Sequence, residues 1–184
     1  MKILISLLVL ALLLWVLKDR LLSFRAQTPE GYVNLGPEMA LKTHLSGPIQ
    51  SEGLIYGPTG RVTSTFVARM FGEWDGNTGT LTEDFTYSNG RTQSRKWYLR
   101  AGEGNQFTAT ADDIIGTAHG TVSGATISLR YTIVLPSDVG GHKLDVTDWM
   151  YLTEDGVIMN RSEMRMFGFK VGELIATMRP DRNP

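Results

Sequence analysis

Two alternating runs separated by a short turn make up residues 78–100, which read TGTLTEDFTYSNGRTQSRKWYLR. Successive residues of a strand point to opposite faces, so the alternation predicts two antiparallel strands, Thr78–Tyr87 and Arg91–Arg100. The intervening Ser88-Asn89-Gly90 suits a turn because asparagine and glycine tolerate the left-handed backbone that tight hairpins require. The stretch therefore predicts a β-hairpin and favours an all-β fold.

The register of this hairpin decides which side chains lie opposite each other. A two-residue Asn-Gly turn pairs Leu81 with Tyr98, whereas a three-residue loop pairs Leu81 with Trp97 and Glu83 with Arg95. We favour the second register, because an unpaired carboxylate on an otherwise largely apolar face would be costly. Glu83 and Arg95 then form a polar pair, which could orient a ligand or be a purely structural ion pair.

The same alternation recurs along the chain at hairpin spacing. It is strictest over Ala125–Leu135, where the apolar residues and Tyr131 share one face. Further strands are predicted at Glu52–Tyr56, Arg61–Phe71, Gln106–Ala111, Gly116–Val122, Lys143–Leu152, Val157–Met166 and Val171–Met178. Nine or ten antiparallel strands close into a barrel or pack as a sandwich. A long meander after one short helix, predicted over Pro37–Leu45, favours a lipocalin-like antiparallel barrel of about 8–10 strands.

Composition and charge exclude several function classes. The chain of 184 residues has no cysteine, which excludes disulfides, thiolate zinc sites, thiol nucleophiles and a lipid-modified cysteine. Four of its 18 bases and one of its 19 acids lie in residues 1–25, which leaves 14 bases against 18 acids beyond them. A domain of this charge with no basic run is a poor nucleic-acid binder.

The N-terminal segment is apolar from Ile3 to Leu17, with Ser6 as its one polar residue, and is flanked by Lys2 and Lys18. A basic start and an apolar core are typical of a signal sequence or signal anchor. This 15-residue core would form a helix of about 22 Å. We favour an uncleaved anchor, since no good pair of small residues comes after the core, and leave cleavage as the alternative. We therefore predict a transmembrane or signal helix over residues 1–25, a linker over 26–36 and the barrel over 37–180.

The strand faces suggest which residues could bind a ligand. Aromatic and charged side chains share the predicted interior of the hairpin or lie on the two longest later strands. The predicted ligand-binding residues are Glu83, Phe85, Tyr87, Arg95, Trp97, Tyr131, Asp148 and Trp149. Asp148 among aromatic residues would have a raised pKa, although an aspartate bonded to its neighbours is the plainer interpretation.

Catalytic and metal sites have little support in the sequence. His44, His119 and His142 are far apart, so no metal site and no cofactor are predicted. Asp112 and Asp113 are adjacent and would point to opposite faces of a strand, which favours a turn over a catalytic pair. The sequence has no nucleophile elbow, phosphate loop or dinucleotide fingerprint. We accordingly expect no enzymatic activity and assign no catalytic residue.

Several uncommon motifs occur in an order that resembles a known family. They are Gly72-Glu73-Trp74-Asp75-Gly76, Leu81-Thr82-Glu83-Asp84-Phe85-Thr86-Tyr87, Arg95-Lys96-Trp97, Ala111-Asp112-Asp113, Asp148-Trp149-Met150-Tyr151, Asn160-Arg161-Ser162-Glu163-Met164 and Phe167-Gly168-Phe169. Over residues 41–178 the chain resembles the bacterial domain-of-unknown-function family 3833. The resemblance implies a lipocalin-like barrel and an exported protein, often a lipoprotein, with no assigned activity. This chain lacks the lipid-bearing cysteine, so the apolar helix would replace that anchor.

Three functions remain open from the sequence. The first is a barrel that holds a small apolar or amphipathic molecule, such as a lipid. The second is a structural or interaction protein with a solid barrel core, and the third is an enzyme using Glu83, Asp113 or Asp148. An internal cavity of at least about 300 Å³ would favour the first. Because short N-terminal anchors usually direct export of the domain behind them, we expect a single-pass protein of the bacterial inner membrane with its barrel in the periplasm.

Overall fold

A computed structural model of the protein describes residues 2–181, apart from the side chains of residues 15, 16, 19 and 20. It contains two α-helices, α1 (Lys2–Leu21) and α2 (Leu41–His44), and three short 3-10 turns, at Phe24–Ala26, Pro29–Tyr32 and Ser137–Val139. The strands are β1 (Gly47–Tyr56), β2 (Val62–Asp75), β3 (Thr78–Tyr87), β4 (Thr92–Ala101), β5 (Gln106–Thr110), β6 (Ile114–Ser123), β7 (Thr126–Val134), β8 (Lys143–Leu152), β9 (Ile158–Met166) and β10 (Phe169–Pro180).

The ten strands form one closed antiparallel barrel. Each strand pairs with its neighbours in sequence, and β1 pairs with β10 to close the sheet. Closure leaves no sheet edge, which is how up-and-down barrels satisfy every strand's backbone. The predictions of an all-β antiparallel barrel of about 8–10 strands and of one short helix before the first strand are confirmed.

The hairpin formed by β3 and β4 has the register expected of a three-residue loop. Glu83 lies opposite Arg95 and Leu81 lies opposite Trp97. The Tyr87 amide donates a hydrogen bond of 2.9 Å to the Arg91 carbonyl, and Gly90 between them has φ +81°. The preferred register is therefore confirmed.

Several boundaries differ from the prediction, and two of the differences have identifiable reasons. The second strand is predicted to end at Phe71, but β2 continues to Asp75 because its end pairs with the start of β3. The helix predicted over Pro37–Leu45 is one turn only, Leu41–His44. Leu41 and Leu45 are buried, so tertiary contacts at the end of the barrel fix this segment rather than helix length.

The segment before the barrel packs on two of its surfaces. Met39, Leu41 and Leu45 are buried at the end of the barrel where β1 begins. Upstream of them, Tyr32 lies against the outer wall, with its ring centroid 5.2 Å from that of Trp149. The Ala125 amide donates a 2.9 Å hydrogen bond to the Leu35 carbonyl. Residues 24–45 thus cover one end and part of one side of the barrel.

Helix α1 contradicts the expected membrane anchor. Within the described residues, no helix is long and apolar enough to cross a membrane. Every 18-residue window of α1 contains three charged residues, drawn from Lys2, Lys18, Asp19 and Arg20. The uninterrupted apolar run is shorter than the roughly 20 residues that a span requires. The prediction of a single-pass inner-membrane protein anchored by this helix, with its barrel in the periplasm, is therefore wrong.

Gly72 is the point at which β2 approaches the segment that closes the barrel end. An added Cβ would lie 2.0 Å from the Leu45 carbonyl oxygen, which also accepts a 2.9 Å hydrogen bond from the Trp74 indole N–H. We expect Gly72→Ala to displace Leu45 and to lower the free energy of unfolding by about 1–3 kcal/mol in urea denaturation. Gly31→Ala is the matched control, since its Cβ would meet nothing within 4 Å. Equal losses in the two variants would contradict the steric explanation.

Candidate functional site

The barrel encloses a cavity of about 620 Å³. Its walls are formed by inward-facing side chains of the strands, and Leu45 contributes at the covered end. Most of the lining is apolar, and it includes Ile55, Phe66, Met70, Leu81, Leu99, Phe107, Ile127, Leu129, Ile133, Val146, Leu174 and Met178. A pocket of this size and character can hold one small organic molecule.

The mouth of the cavity lies at the opposite end, where the connections after β1, β3 and β7 reach the lining. These connections contribute Gly57, Pro58, Asn89, Arg91, Pro136 and Val139. The Arg91 guanidinium and the Asp138 carboxylate form an ion pair of 2.7 Å that joins the β3–β4 turn to the β7–β8 connection. Both side chains are exposed, so this pair bridges the rim rather than the interior.

A buried ionic group lies inside the apolar walls. Arg95 Nε donates a 3.0 Å hydrogen bond to Asp113 Oδ1 and lies 2.8 Å from Asp113 Oδ2, and Arg95 Nη1 lies 4.0 Å from Glu83 Oε2. The guanidinium carbon is 4.1 Å from the centroid of the Trp97 ring. Strand pairing places Glu83 beside Arg95, and the connection after β5 brings Asp113 to the same guanidinium.

A second polar pair extends this group across the barrel interior. The Tyr131 hydroxyl on β7 donates a 3.0 Å hydrogen bond to Asp148 Oδ2 on β8. The Tyr131 ring packs edge-on against Trp97, with 5.1 Å between ring centroids, and lies 5.7 Å from the Arg95 guanidinium carbon. Glu83, Arg95, Asp113, Tyr131 and Asp148 therefore form one connected set, called the polar cluster below.

Burial changes the proton affinities of the polar cluster. It raises the pKa of Glu83 to about 7, although the charge of Arg95 opposes this, and the nearby Asp148 and Asp113 carboxylates reinforce it. Burial likewise raises the pKa of Asp148, against hydrogen bonds from Ser162 and Tyr131. The pKa of Tyr131 is raised well above its usual value, again mainly by burial. Glu83 can thus gain or lose a proton near neutral pH.

Several polar atoms of the cluster have no hydrogen-bond partner within the described protein. They are Glu83 Oε2, Arg95 Nη2 and Asp148 Oδ1. A buried polar atom left without a partner costs about 1–3 kcal/mol, so native proteins rarely leave several together. These atoms mark where a bound molecule could make polar contacts.

The structure brings together seven of the eight residues that the sequence predicts for ligand binding. The seven that line the cavity are Glu83, Phe85, Tyr87, Arg95, Trp97, Tyr131 and Asp148. Trp149 does not line it and corrects the prediction, because adjacent strand residues face opposite sides and Asp148 faces inward. Trp149 is 1% exposed because Tyr32 and Tyr151 pack against it outside the barrel.

Sequence reasoning missed Asp113 as a partner of Arg95. Asp113 lies in the expected turn, and the signal that could have found it is the register of the β4–β5 hairpin, which continues from Tyr98 and Thr110 to Arg95 and Asp113. Ser162 and Asn160 also line the cavity. Sequence reasoning missed them because burial along β9 does not alternate, so its residue pattern does not indicate which face is inward. Among the side chains that the structure describes, no three of His, Asp or Glu are grouped as metal ligands would be.

Comparison with known proteins identifies a family and a shared fold. Residues 19–180 match the family model described as Protein of unknown function, DUF3833. An S-type phycobiliprotein lyase, CPES, from Guillardia theta superposes with a TM-score of 0.57 at 8% identity, covering 77% of this chain and 91% of its own. Rv2717c from M. tuberculosis superposes with a TM-score of 0.56 at 18% identity, covering 81% of this chain and all of its own. No curated protein matches the chain in sequence.

Proposed function

Because the chain belongs to the DUF3833 family, which has no assigned function, we propose from the site itself that the barrel binds a small apolar or amphipathic molecule. The observation that carries this proposal is the internal cavity of about 620 Å³, which is lined mainly by apolar side chains. Ligand pockets in proteins commonly have volumes of about 300–1,000 Å³, with apolar walls and a few placed polar groups.

The alternative of a barrel with a solid core is less compatible with this interior. Small barrels either fill with side chains or keep room for one ligand. Side chains that line an unfilled space lose dispersion contacts, and unpartnered polar atoms add a further cost. A bound molecule with an apolar body and a polar end would restore the dispersion contacts and give the polar atoms a partner. This supports ligand binding as the role of the cavity.

The structural relatives support the fold and leave the reaction open. The Guillardia theta protein is named as a lyase, but 8% identity does not transfer its chemistry to this chain. We therefore propose a binding protein and assign no catalytic step to the polar cluster.

A large side chain placed in the cavity should weaken ligand binding without unfolding the barrel. Val146 lines the cavity and is 3% exposed, and we expect Val146→Trp to weaken binding of the neutral apolar dye Nile red by at least about tenfold. The measurement is a fluorescence titration, with circular dichroism to verify folding. Val67→Trp is the matched control, since Val67 is 57% exposed on β2.

Two results would count against the proposed function. One is a folded wild-type protein that binds neither Nile red nor any simple aliphatic probe. The other is binding that Val146→Trp and Val67→Trp reduce equally, because the dye would then bind the outer surface.

A further inference from the structure

The charges inside the cavity do not balance. Among the described residues of the lining, three have carboxyl groups, Glu83, Asp113 and Asp148, and these face the guanidinium of Arg95. Arg91 also contributes to the lining, but it lies at the rim and pairs with Asp138. The interior therefore has a surplus of carboxyl groups over cations.

Geometry assigns the one buried cation to one carboxylate. Asp113 Oδ1 accepts a 3.0 Å hydrogen bond from Arg95 Nε and Oδ2 lies 2.8 Å from the same nitrogen, whereas Glu83 is 4.0 Å from the guanidinium. Asp148 faces uncharged donors, namely the Tyr131 hydroxyl, which donates to Oδ2, and Ser162. The two carboxyl groups without a cation are thus Glu83 and Asp148, and each keeps one buried, unpartnered oxygen.

We propose that the molecule bound in the cavity is an apolar amine, whose ammonium group donates hydrogen bonds to Glu83 Oε2 and Asp148 Oδ1. This inference rests on the proposed binding function and names its ligand class. The apolar body lies against the aliphatic and aromatic walls, and the charged end takes the place of the missing cation.

Other head groups fit the same cavity less well. A carboxylate would add a third unpaired negative charge beside Glu83 and Asp148, which is unfavourable in a low-dielectric interior. An alcohol could donate to one carboxyl oxygen and accept from Arg95 Nη2, but it would leave the surplus charge in place. Arg95 itself repels a second cation only weakly, because Asp113 neutralises it at hydrogen-bond distance.

The amine should bind more tightly as pH rises. Glu83, with a pKa of about 7, faces Arg95 on β4, Asp148 on β8, Asp113 after β5 and the Trp97 ring. The ammonium group binds the ionised carboxylate of Glu83 better than the protonated carboxyl group. The affinity for the amine should therefore fall by about tenfold for each pH unit below 7, as Glu83 takes up a proton. Alkyl ammonium groups stay charged throughout this range, since lysine has a pKa of about 10.4.

The experiment compares three probes that share one apolar chain: decylamine, decanol and decanoic acid. Isothermal titration of the full chain at pH 8 should give the tightest binding for decylamine, and the preference should shrink at pH 5.5. An affinity for decanol or decanoic acid equal to or above that for decylamine overturns the inference. Failure of all three probes to bind would instead contradict the proposed function itself.

Two neutral variants locate the ammonium group. Glu83→Gln and Asp148→Asn keep the side-chain shape and should each weaken decylamine on the order of 30-fold, while decanol binding changes by less than about threefold. Asp84→Asn is the matched control, because Asp84 is exposed on the outer face of the same strand as Glu83. Equal losses for decylamine and decanol would show a structural effect and contradict the assignment.

Discussion

Replacing Arg95 with methionine is expected to lower the free energy of unfolding by about 3–5 kcal/mol at pH 8. Methionine keeps much of the apolar stem but removes the guanidinium that pairs with Asp113 and lies near Glu83. Breaking a largely buried ion pair from one side is costly because the remaining carboxylates lose their cation and have little access to water. Urea denaturation followed by circular dichroism measures the loss.

Two further variants distinguish uncompensated charge from lost packing as the cause of this destabilisation. Arg100→Met is the matched control, since Arg100 is exposed on the same strand, and it should change stability by less than about 0.5 kcal/mol. Adding Asp113→Asn and Glu83→Gln to Arg95→Met should recover most of the loss, because no uncompensated charge then remains beside position 95. If the triple variant is as unstable as Arg95→Met, packing and not charge explains the effect.

The second large effect should have the opposite sign. Glu83→Gln is expected to stabilise the ligand-free protein at pH 8 by about 3 kcal/mol. Glu83 is 7% exposed, and burial raises its pKa from the ordinary 4.5 to about 7. Above pH 7 the folded protein must hold a buried carboxylate that the unfolded chain exposes to water, and glutamine removes that cost.

The pH dependence gives the sharper readout. Between about pH 4.5 and 7 the folded protein binds a proton at Glu83 that the unfolded chain has released, so this group's contribution to stability falls as pH rises. The advantage of Glu83→Gln should therefore vanish below about pH 4.5 and reach its full value above pH 7. Asp84→Asn, at an exposed position of the same strand, is the matched control. A pH-independent difference between Glu83→Gln and the wild type would contradict the raised pKa.

The N-terminal helix shows where a local pattern misleads. The apolar run Ile3–Leu17 matches a membrane signal in composition but falls short of a membrane span in length. The bounds of α1 place Lys2, Lys18 and two further charged residues within the same helix, which leaves too short an apolar stretch. Where a helix starts and stops relative to its charges is therefore as informative as the apolar run itself.

The sequence by itself determined the strands, the hairpin and the opposition of Glu83 and Arg95. These result from period-two alternation and from turn chemistry at Gly90, which are local properties of neighbouring residues. The same period correctly places Tyr131 among inward-facing residues of β7. The family resemblance then favours a lipocalin-like barrel over a sandwich.

Only the tertiary structure decided which side of each strand is the interior and what meets there. Asp148 and Trp149 are both buried, because the segment containing Tyr32 covers the outer wall at β8, so local alternation could not rank the two faces. Asp113 reaches Arg95 because β5 pairs with β4 and the same register, continued past Thr110, places Asp113 beside Arg95. Strand number and stagger set the size of the cavity, and neither can be derived from the pattern of any single strand.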